Sequence, residues 1–296
     1  MMGIGKWVVA GGLMMLTAMS AGGPALAEGF DTSGIKADAA LAARLPDKIK
    51  AAGTLIVGSD TTYAPWEYLS ETDGQTPEGI DVDIAKAIGA RLGVKVDYQT
   101  ATFDAIIPAV GSRYDVGISA FSITNERMKV VNFVNYARSG SLWVVKAGNP
   151  SRFDVNDVCG KTIAIQTGTY YEGLITKANA ACASGGKPAI TVIPFSRQVE
   201  ALTRVAAGGA DATYSGSATM GLAVKQSNGM LEAAGEVHDY GPMGIAIVKS
   251  DEALTKLVAE AIDSLIADGT YAAIFDGWGA PTDIVDKAAI NPQVAN

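Results

Sequence analysis

The feature that most constrains this chain is an alternation of short strand-like and longer helix-like segments, and it occurs twice. TLIVGSD (54–60) is a short apolar run, and EGIDVDIAKAIGARLG (78–93) carries apolar residues at helical spacing and closes on Gly93. VKVDYQTA alternates apolar and polar residues, TFDAIIPAVGSR is again helical, and YDVGISA again reads as a strand. A β-α-β-α-β order predicts parallel strands joined by crossover helices. VNFVNYARSGSLWVVKAG (131–148) breaks the rhythm as one long extended segment. The alternation then resumes with KTIAIQTG, TYYEGLITKANAAC, AITVIPF, SRQVEALTRVAAGG and ADATYSG. A second extended run, GPMGIAIVK, leads into DEALTKLVAEAIDSLIADGTYAAIFDGWG, a long amphipathic helix followed by a shorter one. Upstream, ALAARLPDKIKAAG has helical spacing and is expected to end at Gly53. Two such series joined by two extended segments predict an α/β chain of two lobes with a cleft between them. Clefts at the carboxyl ends of strands are where such architectures bind small molecules.

The 296 residues suffice for one large or two moderate domains, and 48% hydrophobic with 18% charged residues fits a globular chain. A net charge of −8 argues against nucleic acid and against anionic membrane surfaces as partners. Residues 1–27 read as a signal peptide: Lys6 supplies the positive charge, Trp7 to Ala18 the apolar core, and Ala25-Leu26-Ala27 the cleavage site. The apolar core is short and glycine-broken for a membrane anchor, and no cysteine near the cleavage site supports a lipid anchor. In an exported chain the two cysteines, Cys159 and Cys182, read as a disulfide. With a single histidine, a His/Cys zinc site is not expected, nor is any metal or cofactor. That residue, His238, lies in EVHDYGPMG, which reads as a loop carrying a solvated imidazole.

SAFSITNER (119–127) places hydroxyl residues at a strand end and an arginine shortly after. On the residues alone, this is either a solvated helix start or a grip for an anion. GSDTTYAPWEY, EGIDVDIAKAIGARLG, YDVGISAFSITNERMKVVNF, KTIAIQTGTYYEGL and ADGTYAAIFDGWG occur in this order between Thr54 and Gly279. Together they resemble the family 3 solute-binding proteins of ABC importers, periplasmic receptors for polar amino acids and related solutes. The resemblance implies a type II periplasmic-binding-protein fold, each lobe a mostly parallel sheet flanked by helices, with two extended hinge segments. It implies a lobe 1 of 54–141 with 244–281, a lobe 2 of 142–243, an N-terminal extension at 28–53 and a C-terminal tail at 282–296. It further implies a periplasmic, non-catalytic monomer that passes a small-molecule ligand to a permease in the inner membrane.

Residue by residue, the resemblance assigns Arg127 to the ligand's carboxylate, through a planar fork of donors that fits it. Ser119, Ala120 and Ser122 line the same pocket, the carbonyl of Ala120 facing an ammonium. Gly168, Thr169 and the N–H of Tyr170 clamp the carboxylate from lobe 2, at a helix start suited to anions; Thr169 also fits a plain N-cap. Tyr63 stacks on the ligand, Asp60 and Glu67 lie in the same loop, Trp66 is either cleft wall or core, and Phe103 is a further wall. The cysteine pair matches a disulfide found in some members. One departure stands out. Family members usually carry an aspartate for the α-ammonium five residues after the DA of the last lobe 2 strand, and here Gly216 stands there, with no acid between Asp211 and Glu232. Either another acid such as Asp60 or Glu67 takes the ammonium, or the ligand carries a carboxylate without a free α-ammonium. The alternative function on this fold is a cyclohexadienyl or arogenate dehydratase, with Glu172 as general acid.

Overall fold

The computed structural model describes residues 29–294; the signal peptide expected over 1–27 lies outside them. The expected first helix is two, α1 (Ala39–Ala42) and α2 (Asp47–Ala52). Pro46 separates them because it cannot donate within a helix and pushes the residue before it out of helical conformation. Gly53 closes α2 in the left-handed conformation, φ 63°.

The first series follows as β1 (Thr54–Ser59), the short antiparallel strands β2 (Thr62–Tyr63), β3 (Glu67–Leu69) and β4 (Pro77–Glu78), and α3 (Ile80–Leu92) ending at Gly93. Then come β5 (Lys95–Thr100), α4 (Phe103–Ala109), β6 (Val116–Gly117), α5 (Asn125–Met128) and the long β7 (Val131–Lys146). The second series is β8 (Thr162–Gln166), α6 (Tyr170–Ser184), β9 (Thr191–Phe195), α7 (Gln198–Ala206) and β10 (Ala212–Gly216). The remainder is α8 (Ser217–Gln226), β11 (Leu231–Val248), α9 (Glu252–Ala267), α10 (Thr270–Gly277) and β12 (Ala289–Ile290).

The main sheet runs β5-β1-β6-β11-β7-β10-β8-β9. β1 is parallel to β5 and β6, and β8 is parallel to β9 and β10, as the alternation predicts. Antiparallel β7 and β11 join the two parallel sets and pair from Val131↔Val248 to Lys146↔Leu231. Apolar side chains segregate with the sets. Val57, Ile84, Ile245 and Phe275 share one core beside the first, whereas Ile163, Ile175 and Tyr214 share another beside the second. Cys159 and Cys182 are bonded, tying the approach to β8 to the end of α6.

Three expectations need correction. EVHDYGPMG is not a loop: it lies within β11, where register shifts between Ala234 and Gly241 and a left-handed Asp239 (φ 51°) break the strand's regular alternation. The YDVGISA strand shrinks to Val116–Gly117. The helix α8 was not anticipated, because its small and polar residues bury only Thr219 and Met220 and leave little period to read.

Candidate functional site

A cavity of about 780 Å³ opens where β7 and β11 pass between the two parallel sets. Tyr63, Trp66, Ala120, Ser122, Arg127, Gly168, Thr169, Tyr170 and Gly216 line it. Asp60, Glu67, Phe103 and Ser119, also expected at the site, are not among its lining residues.

Arg127 is placed by its own helix start. The Thr124 hydroxyl caps α5 by accepting the Arg127 N–H at 3.2 Å. The guanidinium lies over the rings of Phe103 and Phe121, 5.4 and 5.5 Å from their centroids. Nη1 donates to the Ser122 carbonyl at 2.8 Å and Nη2 to the Gly168 carbonyl at 2.9 Å. Burial pulls its pKa down to about 10, so the guanidinium stays cationic at neutral pH. The bond to Gly168 crosses the cleft. Gly168 is left-handed at φ 77°, and a Cβ there would sit 2.8 Å from that of Asp104, so glycine is what lets this turn approach α4.

On the opposite wall, Thr169 caps α6 by accepting the Glu172 N–H at 3.1 Å and donates to the Gln166 carbonyl at 2.8 Å. Glu172 folds back to accept the Gly168 N–H at 2.7 Å. Its carboxylate thus completes the turn.

Gly216 faces hydroxyls. Its N–H donates to the Tyr63 phenol oxygen at 3.1 Å, and that oxygen lies 2.7 Å from the Ser215 hydroxyl. A Cβ at 216 would meet the Tyr63 oxygen at 2.8 Å and the Tyr171 oxygen at 3.4 Å. Burial raises the Tyr63 phenol above its ordinary range, so it stays neutral there.

The two acids considered as replacements are otherwise engaged. Asp60 is buried, its carboxylate accepting from Thr62 Oγ1 at 2.7 Å and Gln166 Nε2 at 2.8 Å; burial is the main cause of its raised pKa. Its bond to Gln166 is another link between the two parallel sets. Glu67 is fully buried and accepts from the Ser119 hydroxyl at 2.7 Å, and Ser119 in turn accepts the Asp60 N–H at 2.9 Å. Burial and the neighbouring Asp81 raise the Glu67 carboxyl well above the carboxylate range. Asp81 accepts from the Ala120 N–H at 2.7 Å and from the Tyr136 hydroxyl. Ala120 is thereby held at φ 44°, a conformation that an alanine seldom adopts. Trp66 lines the cavity and is also core, 1% exposed and edge-on to Phe275. Asp211 accepts the Thr162 N–H at 2.7 Å, a bond between strand starts.

Residues that the motifs did not flag also line the cavity: Ser139 and Ser141 of β7, Asp239 and Tyr240 of β11, Tyr171, and the tail residues Gln293 and Val294. The serines alternate along an extended segment, a signal that was present in SGS; Asp239 and Tyr240 sit in the stretch read as a loop. His238 is not solvated alone: Nε2 lies 2.9 Å from the Tyr214 hydroxyl and its ring stacks on that of Tyr214. Among the described residues no group of three or more His, Cys, Asp or Glu is arranged to hold a metal ion.

The family model for bacterial extracellular solute-binding proteins, family 3, matches residues 55–281. The chain belongs to that family. It is 30% identical over 257 residues to the arginine-binding protein ArgT of Corynebacterium glutamicum, covering 86% of this chain and 83% of the relative. It is 29% identical to the L-cystine-binding protein TcyJ of Escherichia coli, covering 79% and 85%. An ancestral arginine-binding protein solved with arginine bound superposes with a TM-score of 0.70 at 35% identity, covering 76% of this chain and 98% of that one.

Proposed function

We propose, from membership of this family, that the protein is the solute-binding receptor of an ABC importer: it takes an amino acid or related carboxylate-bearing solute into the cleft and delivers it to a membrane permease. The observation that carries the reading is the seat of Arg127. A cation on two aromatic faces, bonded across the cleft to Gly168, is built to meet a carboxylate entering between the two walls. A ligand that touches both walls favours the closed arrangement over the open one, which is the signal a permease reads. The lobes are 54–141 with 244–281, and 142–243, so that β7 and β11 carry the hinge. The mature chain acts as a monomer in the periplasm after loss of residues 1–27. The dehydratase alternative is not favoured: the named relatives are amino-acid-binding proteins, and Glu172 is turned back onto the Gly168 N–H.

The ligand class follows from Gly216. Hydroxyls face it, Asp60 and Glu67 are engaged with other groups, and the acids that do line the cavity are exposed and already paired, Glu126 with Lys129 and Asp239 beside His238, so the reading supported best is a carboxylate without a free α-ammonium: an N-substituted amino acid, a betaine-like compound or an organic acid. A thermal-shift screen on ligand-stripped protein tests both levels. A ligand at about 100 times its dissociation constant adds roughly 2.7 kcal/mol, which raises the midpoint of a chain this size by about 5–11 °C. Hits confined to compounds without an α-ammonium support the class. A hit with free L-arginine or L-cystine overturns it and keeps the receptor. No hit among amino acids, betaines and organic acids counts against the receptor itself.

A further inference from the structure

The C-terminal segment lies beyond residues 55–281, the stretch that the family model matches, yet it is stitched to the body of the protein. The Val285 N–H donates to the Tyr271 hydroxyl at 2.8 Å and the Ala288 N–H to Asp263 at 2.8 Å. β12 then pairs with β7, Ala289 opposite Asn135 and Ile290 opposite Val134. Asn291 brackets Phe133 with both of its ends, donating its N–H to the Phe133 carbonyl at 2.9 Å and accepting the Phe133 N–H on its side chain at 2.8 Å. Its Nδ2 donates to Asn132 at 3.0 Å. Asn291 is left-handed at φ 47°, which asparagine tolerates better than most residues, and the chain turns there.

That turn sends Gln293 and Val294 to the cavity that Ser122, Thr124 and Arg127 also line. Val294 is half-buried against the cluster that holds Phe121 and Ile123. Phe121 is one of the two rings under the Arg127 guanidinium. The tail and the arginine therefore share one apolar support, and the tail forms part of the wall beside the charge.

We infer that Gln293 and Val294 are specificity-determining residues of the binding site: the tail walls off the Arg127 side of the cavity and limits the size of the solute group that can reach the guanidinium. This rests on the receptor reading for what enters the cavity, but the access it describes is measurable without a ligand.

Phenylglyoxal modifies unprotonated guanidine groups, and its rate at each arginine is read by peptide mass mapping. The intact ligand-stripped protein is compared with a variant ending at Asn291 and with a full-length Q293G/V294G variant. Exposed Arg113 serves as the internal reference. The expected result is a severalfold faster modification of Arg127 in both variants, larger for a bulkier arylglyoxal, with Arg113 unchanged. If shortening unfolds the chain, seen as a changed Arg113 rate and a lost melting transition, the full-length variant decides. An Arg127 rate equal to that of the intact protein in the folded variants overturns the inference. L-arginine, L-cystine and glycine betaine are titrated alongside. A change of about tenfold or more in their relative affinities when the tail is altered supports the inference, whereas unchanged affinities for a bound probe overturn it. If none of them binds the intact protein, the reagent rates alone decide whether the tail shields Arg127, and the receptor reading is judged separately by the wider thermal-shift screen.

Discussion

Tyr63 and Gly216 meet across the cleft: the glycine N–H donates to the phenol oxygen at 3.1 Å, and no Cβ fits between them without displacing that oxygen. The contact joins β2 to the end of β10, so it can form only when the two walls are close. A hydroxyl thus occupies the place where the family resemblance implies an acid.

Gly216→Ala tests that contact directly. Gly216 has φ −61°, which alanine adopts freely, so the cost is steric and falls on Tyr63. Overpacking of this kind costs about 1–3 kcal/mol, read as a lower melting temperature. In a Tyr63→Phe background the colliding oxygen is absent, and the same substitution is expected to cost measurably less. Equal costs in both backgrounds would place the clash elsewhere.

Arg127→Lys keeps a charge but loses the fork. Lysine cannot lie flat over Phe103 and Phe121 while donating to Ser122 and to Gly168 at once. For whichever carboxylate solute the screen identifies, Arg127→Lys is expected to weaken binding by roughly 30-fold or more, and Arg127→Ala further, since losing one partner of a buried charged pair costs about 2–5 kcal/mol. Calorimetric titration measures both. Affinity retained in Arg127→Ala removes this residue from the site.

Much of this was legible in local patterns. α3 could be read because ten of its thirteen residues are buried and Gly93 ends it in a left-handed turn. Arg127 and Gly168 were reached through the family resemblance, since the residues alone left SAFSITNER open between a solvated helix start and an anion grip; both line the cavity. What escaped depends on distant partners. The role of Asn291 is set by Phe133, 158 positions away, and no periodicity marks such a pairing. Glu67 shows the reverse limit: its position in the first loop pointed to a ligand, but Ser119 and Asp81 enclose it, and a sequence does not reveal which side of a wall a carboxylate occupies.

The disulfide is expected to support the wall that carries Gly168. It closes a loop with a sequence separation of 23, and Cys182 is buried. The loop-entropy account assigns such a bond about 3 kcal/mol. Replacing both cysteines by serine should lower stability by about that much while the chain still folds, as followed by urea denaturation. Labelling of both thiols by an alkylating reagent without reductant would show instead that the bond does not form.

The Glu67–Asp81 pair should make stability fall as pH rises. Burial is the first cause for both: it raises the Glu67 carboxyl well above its ordinary value and the Asp81 carboxyl to about 6. In the unfolded chain both lose their protons near pH 4. Between about pH 4 and the folded values, the folded state therefore holds more protons than the unfolded one, and stability declines with rising pH across that window. The stabilisation is fully present below pH 4 and lost as pH climbs through about 6 and beyond. Glu67→Gln keeps the shape and the bond from Ser119, removes one titrating group, and offers Asp81 an N–H in place of the Glu67 O–H. Its melting temperature is expected to drop less between pH 4 and 8 than that of the parent. Asp81→Asn should flatten the profile in the same direction, at some cost to the geometry of Ala120, whose N–H it holds. Parallel profiles for the parent and both variants would mean that the pair does not titrate in this range.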